Sequence, residues 1–172
     1  TLDAPFGEHV LSFAAPYRRL SLRHAAAARA TERLHPAAPI TADDLRDRAR
    51  AADVARALKL EVLPGHGAGR IATTIFESLW EHDLVQPTFV FDFPTEVSPL
   101  SKQKAGDPDT VERFELYAGG FEIANGFSEL HYPAEPRRRF EGPLRDRAAG
   151  DAEAHQIDED SIRALEHGLP TT

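Results

Sequence analysis

Between Arg113 and Leu130 an otherwise apolar, strand-like run carries three carboxylates, Glu115, Glu122 and Glu129, and one asparagine, Asn125. Acids set among alternating apolar residues point to a held cation. Glu115 and Glu122 flank Gly119-Gly120, and a Gly-Gly pair between apolar residues signals a hairpin because both positions tolerate positive φ. A two-residue turn there sets Tyr117 opposite Glu122, with Glu115 on the face of Tyr117. The two glutamates then become diagonal neighbours with Cα atoms about 7–8 Å apart, within reach of one divalent ion or one ligand ammonium. The alternative is a pair of solvated acids on the wet face of an antiparallel hairpin, and spacing alone does not choose between them. Strict alternation from Glu122 also puts Asn125 and Glu129 on the opposite face. A single pocket therefore requires a bulge or twist near Asn125-Gly126, where glycine permits one.

Other chemistries find less support. The eight histidines are scattered, with no His-Glu-x-x-His run, so they make no zinc pattern. Ser98-Pro99 offers a hydroxyl without a surrounding Gly-x-Ser-x-Gly, and a covalent mechanism is not indicated. Gly65-His-Gly-Ala-Gly69 is glycine-rich but lacks a following Lys-Ser or Lys-Thr, which leaves it weak as a phosphate loop.

The run Arg113-Phe-Glu-Leu-Tyr117 with Gly119-Gly-Phe-Glu-Ile-Ala-Asn-Gly-Phe-Ser-Glu-Leu130 resembles the active-site segment of class II lysyl-tRNA synthetases. Gly69-Arg70-Ile71, Leu84-Val-Gln-Pro-Thr-Phe89 and Phe93-Pro-Thr-Glu-Val-Ser-Pro-Leu-Ser101 resemble the same family's core in the same order. Arg137-Arg-Arg-Phe-Glu141, Arg147-Ala-Ala-Gly-Asp-Ala-Glu153, Asp158-Glu-Asp160 and Leu165-Glu-His-Gly-Leu-Pro-Thr171 continue it. The resemblance implies an α+β fold, an antiparallel sheet flanked by helices, present in part. It implies that residues 1–172 are a catalytic-domain segment between motif 2 and motif 3, with a helical portion near 21–83 and the anticodon-binding OB-fold absent; the lack of an initial Met is consistent with that.

By resemblance the intact enzyme activates lysine with ATP to lysyl-adenylate and charges tRNA(Lys), as a cytoplasmic homodimer. The segment alone would be inactive, because the arginines that grip ATP lie outside it. Glu129 would hold the lysine ε-ammonium, since a fixed carboxylate compensates a desolvated cation where neutral analogues cannot respond. Phe127 would pack along the lysine methylenes and Asn125 would contact the substrate carboxylate. Glu115 and Glu122 would be shared by Mg2+ and ATP. Phe121, where the family commonly carries arginine, and His131, where Asn or Val is usual, depart from the pattern. Two other readings fit parts of the sequence: a class II paralogue that lysylates a protein, and a non-catalytic lysine-binding remnant.

Composition sets outer bounds. A chain of 172 residues with 41% hydrophobic content suits one domain with a sizeable core. Without cysteine there is no disulfide framework. No apolar stretch approaches a membrane span, and no signal pattern opens the chain. A net charge of −8 argues against a free-standing RNA binder. The basic cluster Arg137-Arg138-Arg139 with Arg145 and Arg147 reads either as a solvated helix face or as a phosphate contact.

The elements that must position the acidic run are legible from periodicity. Glu8 to Leu20 reads as two short strands in an edge hairpin, and Ser21 as the N-cap of an alanine-rich helix ending at Leu34 before His35-Pro36. Thr41 and Asp44 form a capping-box pattern ahead of a second helix with the stripe Leu45, Ala49, Ala52, Val54 and Leu58. Ile71, Ile75, Phe76, Leu79 and Trp80 mark the apolar face of a third helix from Arg70 to about Asp83. Thr88 to Phe93 reads as a centre strand stopped by Pro94, and Lys102 to Thr110 as a mobile polar loop. Beyond the hairpin, helices are expected near Pro136 to Ala149 and Asp160 to Glu166.

Overall fold

A computed structural model describes residues 2–129; the helices expected near 136–149 and 160–166 lie outside them. The sheet grows around β4 (Thr88–Phe91), whose β-branched and aromatic residues suit a strand paired on both edges. It pairs in parallel with β3 (Arg18–Ser21) and antiparallel with β7 (Arg113–Ala118), which in turn pairs antiparallel with β8 (Phe121–Phe127). Alternation sends Thr88 and Val90 into the core at 2% and 0% exposure, while Phe89 and Phe91 face the other side, where Phe89 packs edge-on against Phe114.

Three helices supply the core against the Val90 side. In α1 (Leu22–Leu34) four alanines, Ala25, Ala26, Ala27 and Ala30, are buried, and small side chains let α3 (Ala68–Trp80) approach closely. α3 contributes Ile71, Ala72, Ile75 and Phe76, each almost wholly buried. The Trp80 indole donates to the Ala25 carbonyl at 2.8 Å, and the Arg29 guanidinium lies 4.1 Å above its ring. α1 begins after Ser21 as its sequence predicts. It ends where His35 turns left-handed at φ 47°, its N–H donating to the Thr31 carbonyl at 2.9 Å.

The second helix starts later than its capping box suggests. Thr41 and Asp44 do exchange hydrogen bonds, Thr41 N–H to Asp44 Oδ2 at 2.9 Å and Asp44 N–H to Thr41 Oγ1 at 3.2 Å. That exchange closes a turn, and the helix α2 (Arg48–Ala57) is capped separately by Asp47, which accepts from Arg50 N–H at 2.9 Å. Its buried face is Ala51, Ala52 and Ala55, while Ala49 is exposed.

Two expectations are corrected. The N-terminal hairpin is β1 (Asp3–Phe6) with β2 (His9–Ser12), so β3 belongs to the main sheet instead. Its partner β4 lies some 70 residues away in sequence, beyond the reach of local pattern. The segment read as a mobile loop is a second small hairpin, β5 (Gln103–Lys104) with β6 (Asp107–Val111). Remote cations pin it: Arg46 donates to Asp107 through both terminal guanidinium nitrogens at 2.9 and 2.7 Å, the buried Arg23 donates to Thr110 Oγ1 and the Asp109 carbonyl at 3.1 Å each, and Lys104 pairs with Asp92.

Candidate functional site

The β7–β8 turn is the predicted one. Gly119 and Gly120 have φ of 70° and 86°, the left-handed pair that a tight hairpin requires. The turn is docked by Gly119 N–H to the Val85 carbonyl at 2.8 Å and Gly120 N–H to the Leu84 carbonyl at 3.2 Å. As expected, Tyr117 stands opposite Glu122.

The ladder is irregular, but not at Asn125-Gly126. Leu116 faces Ala124 and Tyr117 faces Glu122, so Ile123 is the extra residue of a bulge. The displaced bulge returns Glu122 and Asn125 to one face, and β8 ends before Glu129. Glu115 then faces Asn125, Arg113 faces Phe127, and Asn125 Nδ2 donates to Glu122 Oε1 at 2.7 Å. Gly126 falls on the reverse face, where an added Cβ would meet the Phe114 ring at 2.9 Å. Glu129 is exposed beyond the end of β8, in a single antiparallel bridge with Ser101.

Burial splits the predicted residues. Glu115 is 6% exposed, whereas Glu122, Asn125, Phe127 and Glu129 are all exposed. Buried carboxylates need partners, and Glu115 has two: Arg113 donates to Oε1 at 2.5 Å and the Tyr117 hydroxyl to Oε2 at 2.7 Å. Burial pushes the Glu115 carboxyl above the ordinary carboxylate value, opposed by the Tyr117 and Arg113 contacts and reinforced by the Glu122 charge. Burial beside the Glu115 charge likewise pushes the Tyr117 phenol up, which keeps it a donor at neutral pH.

Two residues were not assigned roles from sequence. Arg113 is a spacer in the motif but an anchor in the structure, donating also to Ser98 Oγ at 2.5 Å and lying 4.8 Å over the Phe93 ring. The Arg-x-Glu-x-Tyr spacing was the signal, since period-two residues share a strand face. Glu96 caps α3, accepting from Gly67 N–H at 2.7 Å and Arg70 N–H at 3.2 Å; a Cβ at Gly67 would fall 2.5 Å from its carboxylate. No local pattern pairs it with residues almost thirty positions upstream. A cleft of about 560 Å³ is lined by Phe91, Phe114, Gly126 and Lys104 among others, and Phe127 reaches its wall.

The chain belongs to the class II tRNA synthetases (D, K and N), the family that matches residues 5–172. Relatives called lysine–tRNA ligase include those of Cronobacter sakazakii, 40% identical over the whole chain, and Pasteurella multocida, 41% identical over the same span. The relative of that name in Gloeobacter violaceus is 51% identical over 128 residues, 74% of this chain and 26% of its own. The chain spans 33% of the length of the first two.

Family membership raises the question of Mg2+. Among the described residues no group of three or more metal-ligating side chains is gathered. Glu115 and Glu122 as diagonal neighbours do fit an ion that is carried by phosphates and takes one or two carboxylates from the protein.

Proposed function

We propose that this chain is a catalytic-core segment of a lysine–tRNA ligase that, in the intact enzyme, activates lysine with ATP and transfers it to tRNA(Lys). The observation that carries the reading is the Ile123 bulge, which brings Glu122 and Asn125 onto the face of Glu115, in a chain whose full length aligns with relatives of that name. Glu129 holds the ε-ammonium, Phe127 lies along the methylenes, and Asn125 contacts the substrate carboxylate. Glu115 and Glu122 serve ATP and Mg2+, which when bound neutralises phosphate charge. The attacking group is the substrate's own carboxylate, so the protein's task is positioning and charge compensation, without a nucleophilic side chain. Homodimeric assembly of the intact enzyme belongs to the same reading.

The test is Glu129→Gln in the full-length enzyme, which keeps size and removes charge. The expected cost is roughly 2–5 kcal/mol in lysine kcat/KM with ATP affinity nearly unchanged, as for loss of one charge-assisted bond to a ligand cation that binding desolvates. Discrimination against norleucine should narrow as well. A mutant that prefers lysine over norleucine as strongly as the parent would remove Glu129 from this role.

A further inference from the structure

We infer that Arg113 and Tyr117 are positioning residues that fix the Glu115 carboxylate toward the ligand side of the hairpin; this rests on the reading of Glu115 as a Mg2+ and ATP contact. Three residues at period two on β7 share one face, and the outer two each hold one oxygen of the middle one. A carboxylate has about four acceptor positions. Two bonds from the protein fix its plane and leave acceptor capacity for a ligand.

The holders are themselves fixed. Arg113 is clamped by the Ser98 hydroxyl and by the Phe93 ring, while its Nε is buried with no hydrogen-bond partner among the described residues. That orphaned donor indicates a guanidinium placed by its Ser98 and Glu115 contacts at the expense of its third group. Tyr117 is 5% exposed and meets the Phe76 ring edge-on at 6.5 Å, so its hydroxyl is located by the core. The contrast with Glu122 is informative, because Glu122 is exposed and accepts a hydrogen bond from Asn125 on its own strand. Glu115 is thus preset, and Glu122 can adapt to what arrives. The Ser98 contact also joins the site to the segment whose Glu96 caps α3, linking the carboxylate's orientation to the helical layer.

The experiment uses the intact enzyme and three variants, Glu115→Gln, Arg113→Lys and Tyr117→Phe. It measures equilibrium ATP binding as Mg2+ is titrated, and lysine binding separately. Lysine at position 113 keeps a charge but cannot fork between Ser98 and Glu115, and Tyr117→Phe removes one hydroxyl while leaving the ring in the core. Both should raise the half-saturating Mg2+ concentration about tenfold or more, as loss of an outer partner of a metal ligand does, with lysine affinity unchanged. If Glu115→Gln raises it while the other two do not, the inference is wrong and the reading of Glu115 stands. Proportional loss of lysine and ATP affinity in Tyr117→Phe would show a merely structural role and overturn it too. If Glu115→Gln leaves the Mg2+ dependence unmoved, the reading of Glu115 fails and the inference fails with it.

Discussion

β7 and β8 are the two arms of one hairpin, yet they meet different surroundings. β7 buries Glu115 and Tyr117 on one face and Ala118 on the other, while every residue of β8 except Gly126 is exposed. Cover by the helical layer makes the difference, with Phe76 of α3 packed on Tyr117. Under that cover a polar side chain must find protein partners, and Glu115 does. On the uncovered arm Asn125, Phe127 and Glu122 remain accessible, as the roles proposed for them require. One hairpin thus places a preset acid beside adaptable ones.

The most severe way to break this contrast is to remove the cover. Phe76 is 1% exposed and touches both the helical core and Tyr117. Phe76→Ala should lower the stability of the chain by about 3–5 kcal/mol, the range for a large aromatic deleted from a packed core. Urea unfolding followed by Trp80 fluorescence measures it. A loss under about 1 kcal/mol would mean that the helical layer does not support β7 as its packing indicates.

A weaker effect is expected at the ionic pins of the β5–β6 hairpin. Arg46 holds the Asp107 carboxyl well below its ordinary value of 3.8, so the folded state binds its proton less readily than the unfolded chain does. The contribution is therefore present above that ordinary value and is lost as pH falls below it. Both side chains are about a third exposed, at 32% and 33%, and solvent screening limits the pair to about 1 kcal/mol or less. Comparing unfolding of the parent and Asp107→Asn, the difference should be constant from neutral pH to about pH 5 and shrink toward pH 3. A difference that persists unchanged at pH 3 would show that the pair is not what Asp107 contributes.

These pins also explain where the sequence was readable. α1, α3, β4 and the Gly119-Gly120 turn announce themselves through caps, periodicity and glycine, all signals within one element. The β5–β6 hairpin reads as a loop because Arg46 and Arg23, which hold it, lie some sixty and almost ninety residues upstream. β3 was paired locally because nothing in its four residues names β4 as a parallel partner. Alternation requires a bulge for Asn125 and Glu122 to share a face, and glycine is the local cue, but the chain bulges at Ile123 instead. Gly126 is occupied with letting the Phe114 ring approach. The family resemblance identified which acids to watch; only the packing showed that one of them is buried and held.

The smallest change is expected at the bulge itself. Ile123 has no residue opposite it in the ladder and is 44% exposed, so its side chain takes little part in packing among the described residues. What places Glu122 beside Asn125 is the count of backbone residues, not the identity of this side chain. Ile123→Thr keeps a β-branched residue suited to a strand and should alter the stability of the chain by no more than about 0.5 kcal/mol. It should equally leave lysine and ATP affinity in the intact enzyme where they were. A loss as large as that of Phe76→Ala would place Ile123 in a buried contact and end the distinction between a covered and an uncovered arm.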